Sequence, residues 1–220
     1  MIVSLKFLLM EFVLLDLKTQ CRKSQKLNRF VVCTKLPTFQ SYFLDINCKI
    51  IIFQVAGDWW VVKGVNCAQD DVWLGGYDWY PCQHERYLRL EDGGWINNTT
   101  YCGGTDSTCT TDQIVTIPHA TMPSPGLIRL EYDDEPLLPQ IERWHIVSVS
   151  SWPEPQFIFV MWCGTNPALD YNGAFVLSRT RTLTGISPET EALFRQVATD
   201  HGVSYDDMCV SDNTDCPENP

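Results

Sequence analysis

Glu142 is the side chain with the clearest chemical potential. It lies two residues before Trp144 in a stretch that reads as a β-strand. Residues two apart share one face of a strand, so Glu142 points into the core if Trp144 does. Burial would raise the pKa of this carboxyl and keep it protonated, which would let it donate a proton to a reacting group. The alternative is a carboxylate at a strand entrance that pairs with Arg143 or with solvent.

Cysteines are the second group that could do chemistry. Ten occur in the chain, and seven follow residue 56: Cys67, Cys82, Cys102, Cys109, Cys163, Cys209 and Cys216. None has the Cys-x-x-Cys spacing of a zinc site, so we expect disulfides and no metal. Disulfides indicate an oxidising compartment, and the odd number leaves at least one thiol free or paired outside this region. Cys102 and Cys109 are seven residues apart across a Gly-rich loop, a spacing compatible with a local bridge.

Charge is distributed unevenly along the chain. Residues 1–55 carry eight Lys or Arg, which leaves 8 of the 16 basic and 24 of the 27 acidic residues for residues 56–220, a net charge of −16. We therefore expect no nucleic-acid partner, because phosphate binding needs clustered Lys and Arg. The sequence contains no Ser-His-Asp order, phosphate-binding loop or His-Glu-x-x-His motif.

Two distant fragments predict a closed barrel. Gly57 and Trp59 open an apolar strand, and Arg179 ends a late one. A guanidinium that lies over an indole face contributes roughly 0.5 to 2 kcal/mol as it is desolvated. Contact between Trp59 and Arg179 would close one end of a β-barrel, and the interior of such a barrel can hold one small ligand.

Turn residues divide the region after Gly57 into short segments. We predict strands at 57–65, 84–91, 93–101, 112–117, 126–132, 142–150, 156–162 and 172–179. Prolines such as Pro123 fall in the connections, where a missing N–H costs least. Ser187 and Pro188 begin one predicted helix, and Gly202 ends it. The fold class is therefore predicted to be all-β: an eight-stranded antiparallel lipocalin barrel with a C-terminal α-helix.

The chain is predicted to have three parts. Residues 1–55 form an N-terminal leader or linker, read as targeting sequence or as poorly ordered. Residues 56–205 form the barrel domain, and residues 206–220 form an acidic tail with cysteines. Asn97 and Asn98 begin two overlapping glycosylation sequons, which would matter only in the secretory pathway.

Six short motifs carry a family resemblance. They are Gly57-Asp58-Trp59-Trp60-Val61, Tyr77-Asp78-Trp79-Tyr80-Pro81-Cys82-Gln83, Trp144-His145-Ile146-Val147-Ser148, Phe157-Ile158-Phe159-Val160, Asp170-Tyr171-Asn172-Gly173-Ala174-Phe175-Val176 and Asp212-Asn213-Thr214. In this order, across residues 57–216, they resemble the central lipocalin domain of violaxanthin de-epoxidase and its related proteins. No single motif is diagnostic, and the ordered set carries the resemblance.

The resemblance implies a plastid lipocalin of the xanthophyll-cycle type that acts on an epoxy-carotenoid in its barrel. The implied reaction is acid-catalysed epoxide opening, by de-epoxidation with ascorbate as reductant or by rearrangement, without a metal. The implied location is the thylakoid lumen of the chloroplast, and a secreted protein is the alternative. The implied partners are the xanthophyll and the thylakoid membrane surface that gives access to it, and a homodimer is left open. The functional alternative is a non-catalytic lipocalin that binds a carotenoid or another apolar ligand.

The resemblance also assigns roles to residues of the barrel. Glu142 falls on the family's catalytic Asp, so it is the implied catalytic residue. Trp162 falls on the catalytic Tyr, and an indole has no acid proton in a useful range. Trp144, Trp162 and Phe159 are implied to contact the ligand.

The stretch around Cys82 matches a family region rich in Asp and His that is tied to pH response. Asp78 is implied to belong to the ligand site. The family's His spacing is not reproduced, so His84 is read as a solvated loop residue. The context of Cys82 and Cys216 implies a structural bridge between them.

Overall fold

A closed antiparallel β-barrel with a helix on its outer side forms the fold in a computed structural model of the chain. The structure describes residues 55–65, 81–91, 94–102, 113–124, 126–132, 140–151, 154–167 and 170–217. Residues 1–54 of the predicted leader, together with Cys67, Asp78 and Cys109, lie outside the described residues. No helix within the described ranges combines the length and the apolar character needed to span a membrane.

The described ranges contain ten strands and one helix. The strands are β1 (Gly57–Gly64), β2 (His84–Arg89), β3 (Trp95–Cys102), β4 (Gln113–Thr116), β5 (His119–Ser124), β6 (Leu127–Tyr132), β7 (Gln140–Val149), β8 (Phe157–Thr165), β9 (Asp170–Ser178) and β10 (Cys209–Val210). The helix is α1 (Pro188–Asp200).

The strands form one sheet that closes on itself. Neighbours pair in the order β1-β2-β3-β5-β6-β7-β8-β9, and β9 pairs back onto β1. Both β4 and β5 pair with β3, with Thr116 opposite Thr99 and His119 opposite Ile96, so they are two halves of one barrel strand. The described part of the barrel therefore has eight strand positions, which confirms the predicted eight-stranded antiparallel barrel.

Strand β5 is not predicted from the sequence, because Pro123 favours a connection at this point. In the structure Pro123 lies inside β5, where the register against β6 shifts between Thr121 and Ser124. A bulge interrupts the hydrogen-bond ladder, and a residue without an N–H is tolerated there. Strand β10 also escapes prediction, because two residues give no periodic signal.

Strand alternation separates an inner from an outer side of the barrel. On β1, Trp59 belongs to the interior cluster, whereas Trp60 packs in a second cluster with Phe194 of α1. Helix α1 begins where the Ser187 hydroxyl accepts a hydrogen bond from the Thr190 N–H at 3.1 Å. This confirms the predicted helix. The helix packs against outward-facing strand residues such as Trp60, whereas inward-facing residues such as Trp59 fill the interior.

Arg179 closes one end of the barrel against Trp59. Its guanidinium carbon lies 3.6 Å from the centroid of the Trp59 ring, which is fully buried. Arg179 Nη1 donates to the Asp58 carbonyl at 2.9 Å, and Trp59 Nε1 donates to the Val55 carbonyl at 2.7 Å. Gly57 has a φ of 91°, and a Cβ there would lie 3.3 Å from Arg179 Nη1. The predicted contact is confirmed, and glycine at this position suits both the backbone and the space.

We expect Arg179→Ala to lower the free energy of unfolding by about 2 kcal/mol, because it removes both the cation–π contact and a hydrogen bond. Arg86→Ala is the matched control, since Arg86 pairs with the half-exposed Asp58 and such surface pairs contribute about 0 to 1 kcal/mol. Urea denaturation of both variants and the wild type measures the difference. Equal losses of unfolding free energy in the two variants would contradict a larger contribution from Arg179.

The chain after α1 packs back onto the barrel. Cys216 forms a disulfide with Cys82, 134 residues earlier, with their Cα atoms 5.3 Å apart. The Cys82 N–H donates to Asn213 Oδ1 at 3.0 Å, and Asn213 Nδ2 donates to the Val61 carbonyl at 2.9 Å. The bridge implied by the resemblance is present, and it ties the predicted tail to β1 and to the residues before β2.

Other described cysteines are also oxidised. Cys102, Cys163 and Cys209 are disulfide-bonded, and none of the cysteines in the described ranges is free. Cys109 lies outside those ranges, so the pairing of Cys102 with Cys109 stays a prediction. The expectation of disulfides is confirmed.

Replacement of both Cys82 and Cys216 by Ser should lower the free energy of unfolding by about 2 to 5 kcal/mol, because the bridge closes a long loop in the unfolded chain. Denaturant titration without reductant measures the loss. Each single replacement should cost as much as the double one, since either removes the whole bridge. If the losses of the two single replacements summed to the loss of the double replacement, the two side chains would act independently and not through one bridge.

Candidate functional site

The first polar centre of the interior is built around Glu142 on β7. Glu142 Oε2 accepts hydrogen bonds from Trp144 Nε1 at 2.9 Å and from the Tyr132 hydroxyl at 3.3 Å. The Tyr171 hydroxyl lies 3.4 Å from Glu142 Oε1 and 2.8 Å from Gln140 Oε1. The carboxyl is thus held by one indole and two phenols from three strands.

Gly164 on β8 provides the space that this arrangement needs. Glu142 pairs with Leu130 of β6 on one side and with Gly164 of β8 on the other. A Cβ at Gly164 would overlap the ring of Tyr171. Glycine therefore lets the Tyr171 ring lie over β8 and bring its hydroxyl to Glu142.

Burial controls the protonation of this centre. It raises the pKa of Glu142 above the ordinary value, although the hydrogen bonds from Trp144, Tyr132 and Tyr171 oppose the rise. Burial, and then the charge of Glu142, raise the pKa of Tyr132 and Tyr171 far above that of a free phenol. The phenols therefore remain protonated donors, and Glu142 is the group here whose protonation can change.

Aromatic rings surround the carboxyl. Trp144 lies opposite Trp162 across the β7–β8 pairing. Trp162 contacts Tyr171, with ring centroids 5.4 Å apart, and Trp144 contacts Phe175 at 4.8 Å. The Trp162 Nε1 is buried and has no hydrogen-bond partner among the described residues. The structure thus brings Glu142, Trp144 and Trp162 together inside the barrel, on neighbouring strands.

Phe159 does not belong to this site, and its predicted ligand contact is wrong. On β8, Ile158, Val160 and Trp162 face the interior, so Phe159 faces outward. Its ring is fully buried against Phe194 of α1, at a centroid distance of 5.7 Å. Asp78, the other residue predicted for the ligand site, lies outside the described residues.

A second polar centre, which the sequence analysis missed, surrounds Glu85 on β2. Glu85 is fully buried, and its Oε1 accepts from Gln83 Nε2 at 3.1 Å. Its Oε2 accepts from Asn97 Nδ2 and from Thr99 Oγ1, both at 2.6 Å. Glu85 lies two residues before the buried Tyr87, as Glu142 lies two residues before Trp144. The strand-face argument used for Glu142 would have found it.

The two centres share one interior. Burial raises the pKa of Glu85 to about 7, against the hydrogen bonds of its neighbours, and the charge of Glu142 raises it further. Between them, the Tyr87 and Trp144 rings meet edge to face with centroids 6.4 Å apart. The interior face of the barrel therefore carries two carboxyls, the fully buried Glu85 and the half-buried Glu142, with aromatic rings beside them.

Two polar residues of β2 and β3 differ from their predicted settings. His84 is buried in β2 instead of solvated in a loop: its ring lies 4.7 Å from Trp60, and its Nε2 is 3.1 Å from Asp58 Oδ1. Burial lowers the pKa of His84. Asn97 is fully buried in the Glu85 centre, so its sequon is not accessible for glycosylation in the folded protein.

The described residues contain no cluster of three or more His, Cys, Asp or Glu side chains that could hold a metal ion.

A closed eight-stranded antiparallel barrel with one helix against its outer side is the lipocalin fold. Solved lipocalins superpose on it: a major allergen of cockroaches (Per a 4) has a TM-score of 0.53 and 15% identity over 75% of this chain and 89% of its own. The bovine lipocalin allergen Bos d 2 has a TM-score of 0.51 and 14% identity, with coverages of 75% and 97%. A dog lipocalin allergen has a TM-score of 0.51 and 15% identity, with coverages of 76% and 99%. At these identities the likeness shows the fold alone.

The family is defined more closely by sequence. A family model described as the VDE lipocalin domain matches residues 40–213. The chain therefore belongs to the VDE lipocalin domain family, the lipocalins related to violaxanthin de-epoxidase. A search of curated proteins gave no match.

The contribution of Glu85 to the stability of the fold weakens as the pH rises, whereas the half-buried His145, whose pKa is lowered to about 4, contributes in the opposite direction. The pKa of Glu85 is about 7 in the folded state and 4.5 ordinarily, so the folded state holds this proton over a range where the unfolded state has lost it. The contribution of Glu85 is thus most favourable below about pH 4.5 and is lost by about pH 7, a difference on the order of 3 kcal/mol.

Glu85→Gln, which cannot titrate, should remove this contribution. The free energy of unfolding at about pH 8 minus that at about pH 5, measured by denaturant titration, should therefore be more positive in Glu85→Gln than in the wild type. Glu154→Gln, at an exposed position, is the control and should give the wild-type difference. The same difference in Glu85→Gln and in the wild type would contradict the contribution of Glu85.

Proposed function

We propose that this chain opens the epoxide of a carotenoid held in its barrel, with Glu142 as the proton donor and ascorbate as the reductant. The observation that carries the proposal is the Glu142 carboxyl, held among aromatic rings by indole and phenol groups. Its raised pKa suits a general acid. Membership of the VDE lipocalin domain family supports the choice of an epoxy-carotenoid.

The proposed reaction is a reductive removal of the epoxide oxygen. Glu142 protonates the oxygen as the first C–O bond breaks. Ascorbate supplies two electrons and becomes dehydroascorbate, the second C–O bond breaks, and a C=C double bond remains. With a second proton, also from ascorbate, the oxygen leaves as water.

Tyr171 is proposed to support Glu142 in place of the phenol that Trp162 lacks. Trp162 stands where the resemblance implies a catalytic Tyr, and its indole cannot act as an acid. The Tyr171 ring lies against Trp162, and its hydroxyl is 3.4 Å from Glu142 Oε1. A phenol therefore remains beside the acid, although it comes from β9 instead of β8.

Acid conditions favour the proposed reaction. Because burial raises the pKa of Glu142, the protonated donor becomes populated as the pH falls through that raised value. Activity should therefore increase on acidification. This dependence and the disulfides support an acidic, oxidising compartment such as the thylakoid lumen, with the membrane surface as the source of pigment.

A second function is a lipocalin that binds an apolar ligand without changing it. Trp162 favours this function, because it adds aromatic packing surface where the related enzymes carry the implied catalytic phenol. The two functions differ in one measurable respect, which is conversion of the bound ligand.

Glu142→Gln should abolish conversion of violaxanthin and preserve its binding, because the amide keeps the shape and loses the acid proton. The assay is incubation of the protein with violaxanthin and ascorbate at about pH 5, with pigments separated by chromatography. Trp162→Tyr should raise the rate if the missing phenol limits it. Glu154→Gln is the control, because its position is exposed and outside the barrel.

Conversion should also rise in the wild type as the pH falls through the raised pKa of Glu142, and Glu142→Gln should convert none at any pH. If the wild type binds violaxanthin but converts none at any pH, and neither substitution changes this, the binding function replaces the enzymatic one.

A further inference from the structure

Tyr171 lies between two acceptors and has one proton to donate. Its hydroxyl oxygen is 2.8 Å from Gln140 Oε1 and 3.4 Å from Glu142 Oε1. Hydrogen bonds from a hydroxyl to an oxygen are about 2.5 to 3.0 Å long, so the proton of Tyr171 lies in the bond to Gln140. The amide oxygen of Gln140 can only accept, which fixes the direction of this bond.

The two oxygens of the Glu142 carboxyl have different neighbours. Oε2 accepts from Trp144 Nε1 at 2.9 Å and from the Tyr132 hydroxyl at 3.3 Å. These two donors use both lone pairs of Oε2. Among the described residues, the polar neighbour of Oε1 is the Tyr171 hydroxyl. The acid form of Glu142 therefore carries its proton on Oε1.

The contact between Glu142 Oε1 and Tyr171 then favours one protonation state. Because the Tyr171 proton points to Gln140, the phenol turns a lone pair and no proton toward Oε1. A carboxylate would meet this oxygen without a proton between them, whereas a carboxylic acid can donate its O–H to it. The arrangement therefore stabilises the acid form of Glu142.

We propose that Gln140 is a positioning residue for the proton donor: it holds the Tyr171 proton away from Glu142, so that the Tyr171 oxygen accepts the proton that Glu142 carries on Oε1. The hydrogen bonds run from Glu142 on β7 to Tyr171 on β9 and return to Gln140 on β7. Gly164 permits this path across β8, because a Cβ there would overlap the Tyr171 ring. The link to catalysis rests on the proposed function, whereas the order of the hydrogen bonds needs no ligand.

Other titratable groups act on Glu142 from the surrounding strands. Tyr132 on β6 and Tyr171 on β9 contact it, and Glu85 and Tyr87 on β2 are coupled to it by charge. The three phenols stay protonated, because burial raises the pKa of each. Burial raises the pKa of Glu85 to about 7, so Glu85 can titrate in the same range as Glu142. The titration of Glu142 is therefore measured in a chain that carries Glu85→Gln.

Gln140→Leu should make Glu142 harder to protonate, because the Tyr171 proton can then turn to Oε1 and stabilise the carboxylate. Infrared difference spectra of the full chain with Glu85→Gln follow the carboxylic-acid C=O band as the pH changes. Subtraction of the same series for Glu142→Gln isolates the Glu142 signal. The midpoint should fall by about one pH unit in Gln140→Leu, a roughly tenfold change in the protonation equilibrium. The pH dependence of violaxanthin conversion should move in the same direction.

A Tyr171→Phe background tests whether the effect passes through the phenol. There, Gln140→Leu should leave the midpoint unchanged, because no phenol proton remains to be redirected. Gln156→Leu is the matched control: Gln156 is exposed at the opposite end of β8 from Gly164, and its loss should keep the midpoint of the parent chain. Gln140→Met, which keeps an unbranched side chain, repeats the test if thermal unfolding shows that Gln140→Leu does not fold.

A midpoint that is unchanged or raised in Gln140→Leu would overturn the positioning role, and so would an equal fall in the Tyr171→Phe background. Conversion of violaxanthin together with an unchanged midpoint would leave the proposed function intact and remove the role of Gln140. A lowered midpoint without conversion of violaxanthin would retain the order of the hydrogen bonds and remove the catalysis.

Discussion

The pairing of β1 with β9 is the constraint on which the rest of this structure depends. Strand β1 pairs with β2 through Gly57 to Trp60 and with β9 through Trp60 to Gly64, so the sheet has no free edge between its first and last barrel strands. The Arg179 guanidinium packs over the Trp59 ring at the end of the barrel where these strands pair. Because the wall is continuous, the interior has a low dielectric, and burial dominates the pKa of every titratable group that faces it.

Polar side chains that face a closed apolar interior need hydrogen-bond partners within it. A buried carboxyl costs free energy unless it is hydrogen-bonded. Glu85 has three donors around it, and Glu142 has an indole and two phenols. The two sets lie on opposite walls with the Tyr87 and Trp144 rings between them. The interior therefore presents hydrogen-bonded carboxyls on two opposite walls of the barrel.

The outer layer supports the barrel without entering the site. Phe159 and Phe194 stack between β8 and α1. The Cys82–Cys216 bridge and the side chain of Asn213 fasten the chain after α1 to the barrel near β1. These contacts involve outward-facing residues of the strands. Substitutions that alter stability can therefore be made at positions other than those that line the candidate site.

Local signals in the sequence were sufficient for the closure of the barrel, for the helix and for the strands other than β5 and β10. Gly57, Trp59 and Arg179 indicated the closure, and Ser187 with Pro188 indicated the start of α1, because turns, caps and strand alternation act over a few residues. The spacing of Glu142 and Trp144 predicted one polar centre, since two residues on one strand must share a face. The family resemblance added the pairing of Cys82 with Cys216.

Tertiary structure decided what local signals could not. Phe159 was placed in the ligand site by its motif, but the phase of β8, set by its pairing with β7 and β9, turns it toward α1. Pro123 marked a loop in the sequence, whereas a bulge against β6 accommodates it in a strand. His84 looked like an ordinary polar loop residue, and only the packing on the outer side of the barrel, against Trp60, buries it. The sequence by itself determined which residues alternate along each strand; which side became the interior, and which polar groups meet there, depended on pairings between strands far apart in the chain.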